Sequence, residues 1–222
     1  MIPLVIYVLN LLSFFNSVSG QSVLSSPILV DKANDDVSNA NFCIVGHEAN
    51  SCNLRSAWSL CESLNTQVFD CRIKILPELN HIYMNATQPE LKLSVGMRIE
   101  INGSGVSISP MSAGQRFISS SGNAGKYTSL KMRHATIFGF ANSALNLLSV
   151  AYFYFESVDF VNNFASADGG ALYLFNTTGR VEHCSFRGNT AVGLGGAMTI
   201  SKSHDIRIFN TTFSGVSSTY DH

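Results

Sequence analysis

Gly169-Gly170-Ala171-Leu172 and Gly195-Gly196-Ala197-Met198 are near-copies set 26 residues apart. The first is followed by Phe186-Arg187-Gly188-Asn189 and the second by Phe213-Ser214-Gly215. An earlier Phe160-Val161-Asn162-Asn163 precedes Phe186 by the same interval. A repeat period of roughly 20–50 residues marks a solenoid, because each unit is too small to bury its own apolar face and must stack on its neighbours.

Working outward, the C-terminal part of the chain aligns on itself. Leu130, Met132, Ala135 and Ile137 map onto Phe153, Phe155, Val158 and Phe160 by a shift of 23. A shift of 26 then reaches Gly179, Val181, Cys184 and Phe186, and one of 27 reaches Ile206, Ile208, Thr211 and Phe213. Apart from Gly179 and Thr211 these positions are apolar. Each set alternates, breaks by one residue and alternates again, as a strand does when it bends at a corner. The corners are His134, Ser157, His183 and Asn210. The opposite wall of each coil is Leu145 and Leu147, then Leu172 and Leu174, then Met198 and Ile200. Coils about 4.8 Å apart place equivalent residues in ladders. Phe160, Phe186 and Phe213 are expected to stack as an internal column. Asn163 and Asn189 are expected to form an amide ladder that Val216 interrupts. The 137–155 stretch carries no charge between its ends and can pass for a membrane helix, but its apolar residues keep the phase of the repeat.

N-terminal to the repeats the pattern changes. Residues 72–105 contain short alternating runs, Ile73-Lys74-Ile75-Leu76, Leu91-Lys92-Leu93 and Met97-Arg98-Ile99-Glu100-Ile101, with Gly96 and Asn102-Gly103-Ser104-Gly105 expected as turns. Residues 51–65 place Leu54, Ala57, Trp58, Cys61 and Leu64 on one helical face, with Asn53 as the N-cap. Such a helix must bury its stripe, and the end of a solenoid offers a surface. Residues 21–50 are polar and are read as a linker. Residues 2–15 are almost wholly apolar and end in small polar residues, so 1–20 is expected to be a secretory signal, with a retained anchor as the alternative because no Lys or Arg precedes the run.

Composition narrows function. The 222-residue chain has a net charge of −1 and only 13% charged residues, which excludes the basic footprint that nucleic-acid binding needs. In an oxidising compartment Cys43, Cys52, Cys61 and Cys71 are expected to form two disulfides by one of three pairings. Their spacing holds no C-x-x-C zinc element. Cys184 falls inside the repeat and reads as a buried thiol. Asn85, Asn102, Asn176 and Asn210 each begin an N-x-S/T sequon. No metal site and no cofactor is expected.

The G-G-A-[ILM] and F-x-x-N pairs resemble the repeats of chlamydial polymorphic outer-membrane proteins. That resemblance implies an all-β fold: a right-handed parallel β-helix of the pectin-lyase-like class. Ser51-Cys52-Asn53-Leu54-Arg55-Ser56-Ala57 is similar to the capping helix that often opens such a helix, and Ile99-Glu100-Ile101-Asn102-Gly103-Ser104-Gly105 to the coil that follows it. The resemblance implies a disulfide-bearing cap over residues 51–71, a solenoid over 72–222, and a secreted or surface-displayed protein acting as an adhesin. Further coils or a cap are expected beyond His222, and any membrane association through such sequence.

The self-alignment also names an outward face. Lys131, Tyr154, Arg180 and Arg207 share one column, and Arg133, Glu156, Glu182 and Phe209 the next. Aromatic rings and arginine forks suit sugars, so Lys131, Arg133, Tyr154, Arg180, Arg207 and Phe209 are candidate ligand-binding residues. Glu156 and Glu182, about 5 Å apart on adjacent coils, are the candidate catalytic pair of a glycosidase-type reaction. The plain structural alternative is a ladder of cross-strand ion pairs. Three functions follow: a binding module for carbohydrate or a cell-surface partner, a carbohydrate-active enzyme, and a spacer without a ligand.

Overall fold

The computed structural model describes residues 26–33, 43, 52–64, 70–85, 87–88, 90–122 and 127–219. The expected signal segment, 1–20, lies outside the described residues. The chain is a parallel β-solenoid of about five turns with one short helix. Its largest sheet runs β1 (Ile28–Val30), β2 (Asp70–Ile75), β5 (Arg98–Pro110), β7 (Ser129–Phe138), β9 (Tyr152–Val161), β12 (Gly179–Glu182) and β16 (Ile206–Phe209). On this sheet β3 (His81–Met84) pairs with β5, and β13 (Ser185–Arg187) lies between β9 and β17 (Thr212–Ser214). The opposite wall is β4 (Leu91–Leu93), β6 (Ile118–Ser120), β8 (Leu145–Leu148), β11 (Leu172–Phe175) and β15 (Met198–Ser201). A small third sheet is β10 (Phe164–Ala165), β14 (Thr190–Ala191) and β18 (Ser217–Ser218).

The pairing follows the register read from the sequence. Leu130 faces Phe153, which faces Gly179, which faces Ile206. Ile137, Phe160, Phe186 and Phe213 are likewise aligned. The four corner residues His134, Ser157, His183 and Asn210 have φ of 51°, 53°, 53° and 45°. A single left-handed residue turns the strand and resets its inward face, which produces the one-residue break in the alternation. Ser104 does the same in β5 with φ 51°. The expected turn at 102–105 is therefore a corner inside one strand, with a register shift between Asn102 and Val106.

Inside, the ladders stabilise the stack. Phe160 and Phe186 stack at 4.8 Å, and Phe186 and Phe213 at 4.9 Å. Offset aromatic pairs contribute about 0.5–1.5 kcal/mol each beyond their burial. Asn163, buried, accepts from Phe140 N at 3.0 Å and donates from Nδ2 to Ile137 O and to Asn189 Oδ1, both at 3.0 Å. Asn189 repeats the pattern one coil on, donating to Phe160 O at 2.8 Å and accepting from Asn163 N at 2.9 Å. The amides thus satisfy backbone groups where the strands turn away from one another. The glycine pair has an equally physical cause. A Cβ on Gly170 would overlap the carbonyl oxygen of Gly196 and the backbone of Thr190, and Gly196 is crowded in the same way by Ser217. Gly179 departs from the apolar pattern because Phe153 of the coil below fills the space a side chain would need.

The helix α1 (Leu54–Ser63) begins at Asn53, whose side chain accepts from Ser56 N at 2.8 Å. It buries Leu54, Ala57, Trp58 and Cys61, and Trp58 Nε1 donates to Lys92 O at 3.0 Å. The disulfides are Cys43–Cys52 and Cys61–Cys71, which ties the helix to β2. Cys184 is a buried free thiol, and burial pushes its pKa up to about 11. The linker reading of 21–50 needs correction. Ile28–Val30 is a buried strand in register with Ile73–Ile75 of β2. Three residues are too few to display a period, and the partner that orders them lies far along the chain.

Candidate functional site

The expected outward columns exist. Lys131 faces Tyr154, Tyr154 faces Arg180 and Arg180 faces Arg207. Arg133, Glu156, Glu182 and Phe209 form the next column. Their side chains are largely engaged with one another. Arg133 bridges Glu100 at 2.9 Å and Glu156 at 3.0 Å, and its guanidinium lies 5.4 Å from the centre of the Tyr154 ring. Tyr154 donates its hydroxyl hydrogen to Glu182 at 3.0 Å, and Arg180 lies 3.8 Å from Glu182. Arg207 turns back to Asp205 at 2.9 Å. Removal from water, the Glu182 hydrogen bond and the nearby carboxylates together push the Tyr154 phenol up to about 12. Glu156 and Glu182 are thus each held by a cation or a phenol. Phe209 remains 50% exposed.

A second feature lies on the other side of each coil and escaped the sequence reading. It is a cleft of about 630 Å³, lined by residues from four successive coils. Glu90 comes from the first, Arg116 from the second, Asn142 and Asn146 from the third, and Asp168 and Tyr173 from the fourth. Loop length creates it. The connection from β7 to β8 spans only 139–144, whereas that from β9 to β11 spans 162–171. A short connection beside a longer one leaves a notch, and the longer one forms its rim.

The walls of the notch are stitched across coils. Asn142, left-handed at φ 58°, donates from Nδ2 to Gly114 O at 3.2 Å and accepts from Ser166 Oγ at 3.0 Å. Its carbonyl oxygen accepts from Arg116 Nε at 2.7 Å. Arg116 also lies 4.0 Å from Glu90, and burial lowers its pKa while Glu90 opposes that shift. Asp168 accepts from Leu194 N at 2.7 Å, and its carbonyl oxygen accepts from Ser143 Oγ at 3.0 Å. Gln115 Nε2 donates to Asn85 O and Gln88 O, both at 3.2 Å. Two buried amide oxygens on the lining residues, Gln115 Oε1 and Asn146 Oδ1, have no hydrogen-bond partner among the described residues.

Asn146 and Tyr173 were legible in principle, since they are the outward positions between Leu145 and Leu147 and between Leu172 and Leu174. Glu90, Arg116, Asn142 and Asp168 recur at the 26-residue interval of the repeat, but their side chains differ in type, so no repeated phrase marks them. Among the sequon asparagines, Asn176 and Asn210 are exposed, whereas Asn85 and Asn102 are half-buried and accept from Thr87 N and Ser104 N. Among the described residues no group of three or more His, Cys, Asp or Glu could hold a metal, and no helix is long and apolar enough to cross a membrane.

Residues 157–174 match the Chlamydia polymorphic membrane protein repeat. The matched stretch runs from the corner at Ser157 through Phe160 and Asn163 to the Gly169-Gly170 pair and β11. Every one of those residues has a role in stacking coils, so the repeat marks a way of folding. The repeat and the solenoid fit a surface-exposed β-helix protein. No curated protein and no solved structure matches the chain.

Proposed function

We propose that this protein is an adhesin-like binding module on the outer face of a cell or secreted from it, taking carbohydrate or a partner surface as its ligand. One observation carries the reading: a rigid stack of coils presents an open polar cleft whose walls are pinned by hydrogen bonds between coils. Pinned walls lower the ordering cost of binding. The enzyme reading draws less support from the geometry. Glu156 and Glu182 are occupied by Arg133, Tyr154 and Arg180 on an open sheet face. An open face of this kind does not exclude water from a reacting pair.

The test is saturable binding. The folded chain is immobilised and exposed to a panel of neutral and acidic glycans and to intact cells. Saturable capture of a glycan or of cells is the expected result. Absence of both overturns the proposal in favour of a spacer. Turnover of a glycan that is lost in Glu182→Gln overturns it in favour of an enzyme.

A further inference from the structure

We infer that the cleft between Glu90 and Tyr173 binds a neutral, hydroxyl-rich glycan lying along the solenoid axis. The inference rests on the binding-module reading and assigns its ligand class. Four coils at about 4.8 Å spacing give a trough about 14 Å long, enough for a short run of sugar rings. At about 630 Å³ its size is that of a small-ligand site.

Charge selects against polyanions. Glu90 and Asp168 stand toward opposite ends of the trough, with Arg116 as the cation among the lining residues. An acidic polysaccharide would meet two carboxylates for one guanidinium, and like-charge contact is an effective way to reject a ligand. Hydrogen-bonding capacity points the same way. Two backbone carbonyls take both hydrogens of Gln115 Nε2, which fixes the amide orientation and leaves Oε1 as an unmet acceptor. With Asn146 Oδ1 and the two carboxylates, the wall is rich in acceptors, and sugar hydroxyls supply donors. Arg116 spends Nε on Asn142 O, so its fork is fixed in place while its terminal nitrogens can donate to hydroxyl oxygens. Tyr173 adds an aromatic body with a polar tip, suited to a sugar ring whose faces are apolar and whose edge is not. The outward strip around Arg133 offers a weaker alternative, because its charges already satisfy one another.

The experiment titrates the full chain with neutral hexose and N-acetylhexosamine oligosaccharides, and with polygalacturonate as the polyanionic probe. The variants are Tyr173→Ala, Arg116→Ala and Ala113→Trp, with Phe209→Ala as the control on the strip. Ala113 lines the cleft from an exposed loop, so Ala113→Trp fills the trough without removing a hydrogen bond. Expected is neutral-probe binding weakened about tenfold or more by Tyr173→Ala and by Ala113→Trp. Binding should be unchanged by Phe209→Ala and nearly insensitive to salt. Melting curves matching the parent confirm that the variants fold. Neutral-probe affinity kept within about twofold in both Tyr173→Ala and Ala113→Trp overturns the cleft assignment. Preferential, salt-sensitive capture of polygalacturonate overturns the ligand class. Either result leaves the binding-module reading standing. Capture of none of these probes overturns the inference, and if cells also fail to bind it overturns the reading beneath it.

Discussion

Replacing Asn163 by Ala tests the logic of the stack most directly. The side chain is buried and serves two backbone groups of the coil below, Phe140 N and Ile137 O, each at 3.0 Å. Asn163→Ala leaves both without their partner. A buried polar group left unmet costs about 1–3 kcal/mol, so the pair is expected to cost about 2–6 kcal/mol. For a chain of this size a kcal/mol shifts the melting temperature by about 2–4 °C, giving a drop of about 4–24 °C. The Asn189 side chain keeps one bond to the Asn163 backbone, so the loss concentrates on the β7 side. Circular dichroism melts of parent and variant read the shift. Hydrogen exchange should show Phe140 N deprotected first. A melting shift under about 2 °C with Phe140 N still protected would refute the claim that the amide ladder holds the coils together.

Other expectations follow from the same geometry. Gly170→Ala should reduce folded yield far more than Gly122→Ala, since a Cβ at 170 overlaps the backbone of the next coil and one at 122 meets open space; comparable yields would contradict this. Non-reducing peptide mapping should recover Cys43 with Cys52 and Cys61 with Cys71. Loops this short should contribute about 2–3 kcal/mol each, read as a lower denaturation midpoint after reduction. Tyr154 should ionise near pH 12 in an absorbance titration corrected with Tyr154→Phe, and Glu182→Gln should bring that value down. Because the folded pKa lies above the ordinary value of about 10, the tyrosine's contribution is full below about pH 10 and is lost as pH rises through about 12. An unshifted titration would remove the Tyr154–Glu182 bond from the account.

The sequence revealed the stack and hid the cleft, for one physical reason. Stacking demands that equivalent residues meet, so Leu130, Phe153 and Ile206, or Phe160 and Phe186, recur in phase and can be aligned by eye. Corners such as His134 and Ser157 were visible because a left-handed residue shifts the alternation by one. Gly179 breaks the apolar column because Phe153 fills the space its side chain would take, a cause that lies in the neighbouring coil and leaves no local mark. The β1 strand was lost because its order comes from β2 and not from its own three residues. The outward columns were correctly placed, but alignment could not say that Arg133 would reach back to Glu100, one coil before the aligned repeats. Arg116, Asn142 and Asp168 keep the 26-residue interval but share no side-chain type, because connections need only close and their outward side chains need not stack.

That division of labour bears on how such a protein diversifies. The repeat intervals of 23, 26 and 27 residues leave the strand register untouched, because the extra residues are absorbed in the connections. Doubling a flexible loop costs only about 0.6 kcal/mol. Insertions beside the trough can therefore redraw its rim while the Phe and Asn ladders continue beneath it. Lineages carrying this scaffold are expected to drift fastest at 111–114, 141–142 and 166–168, exchanging one recognition surface for another on an inherited spine.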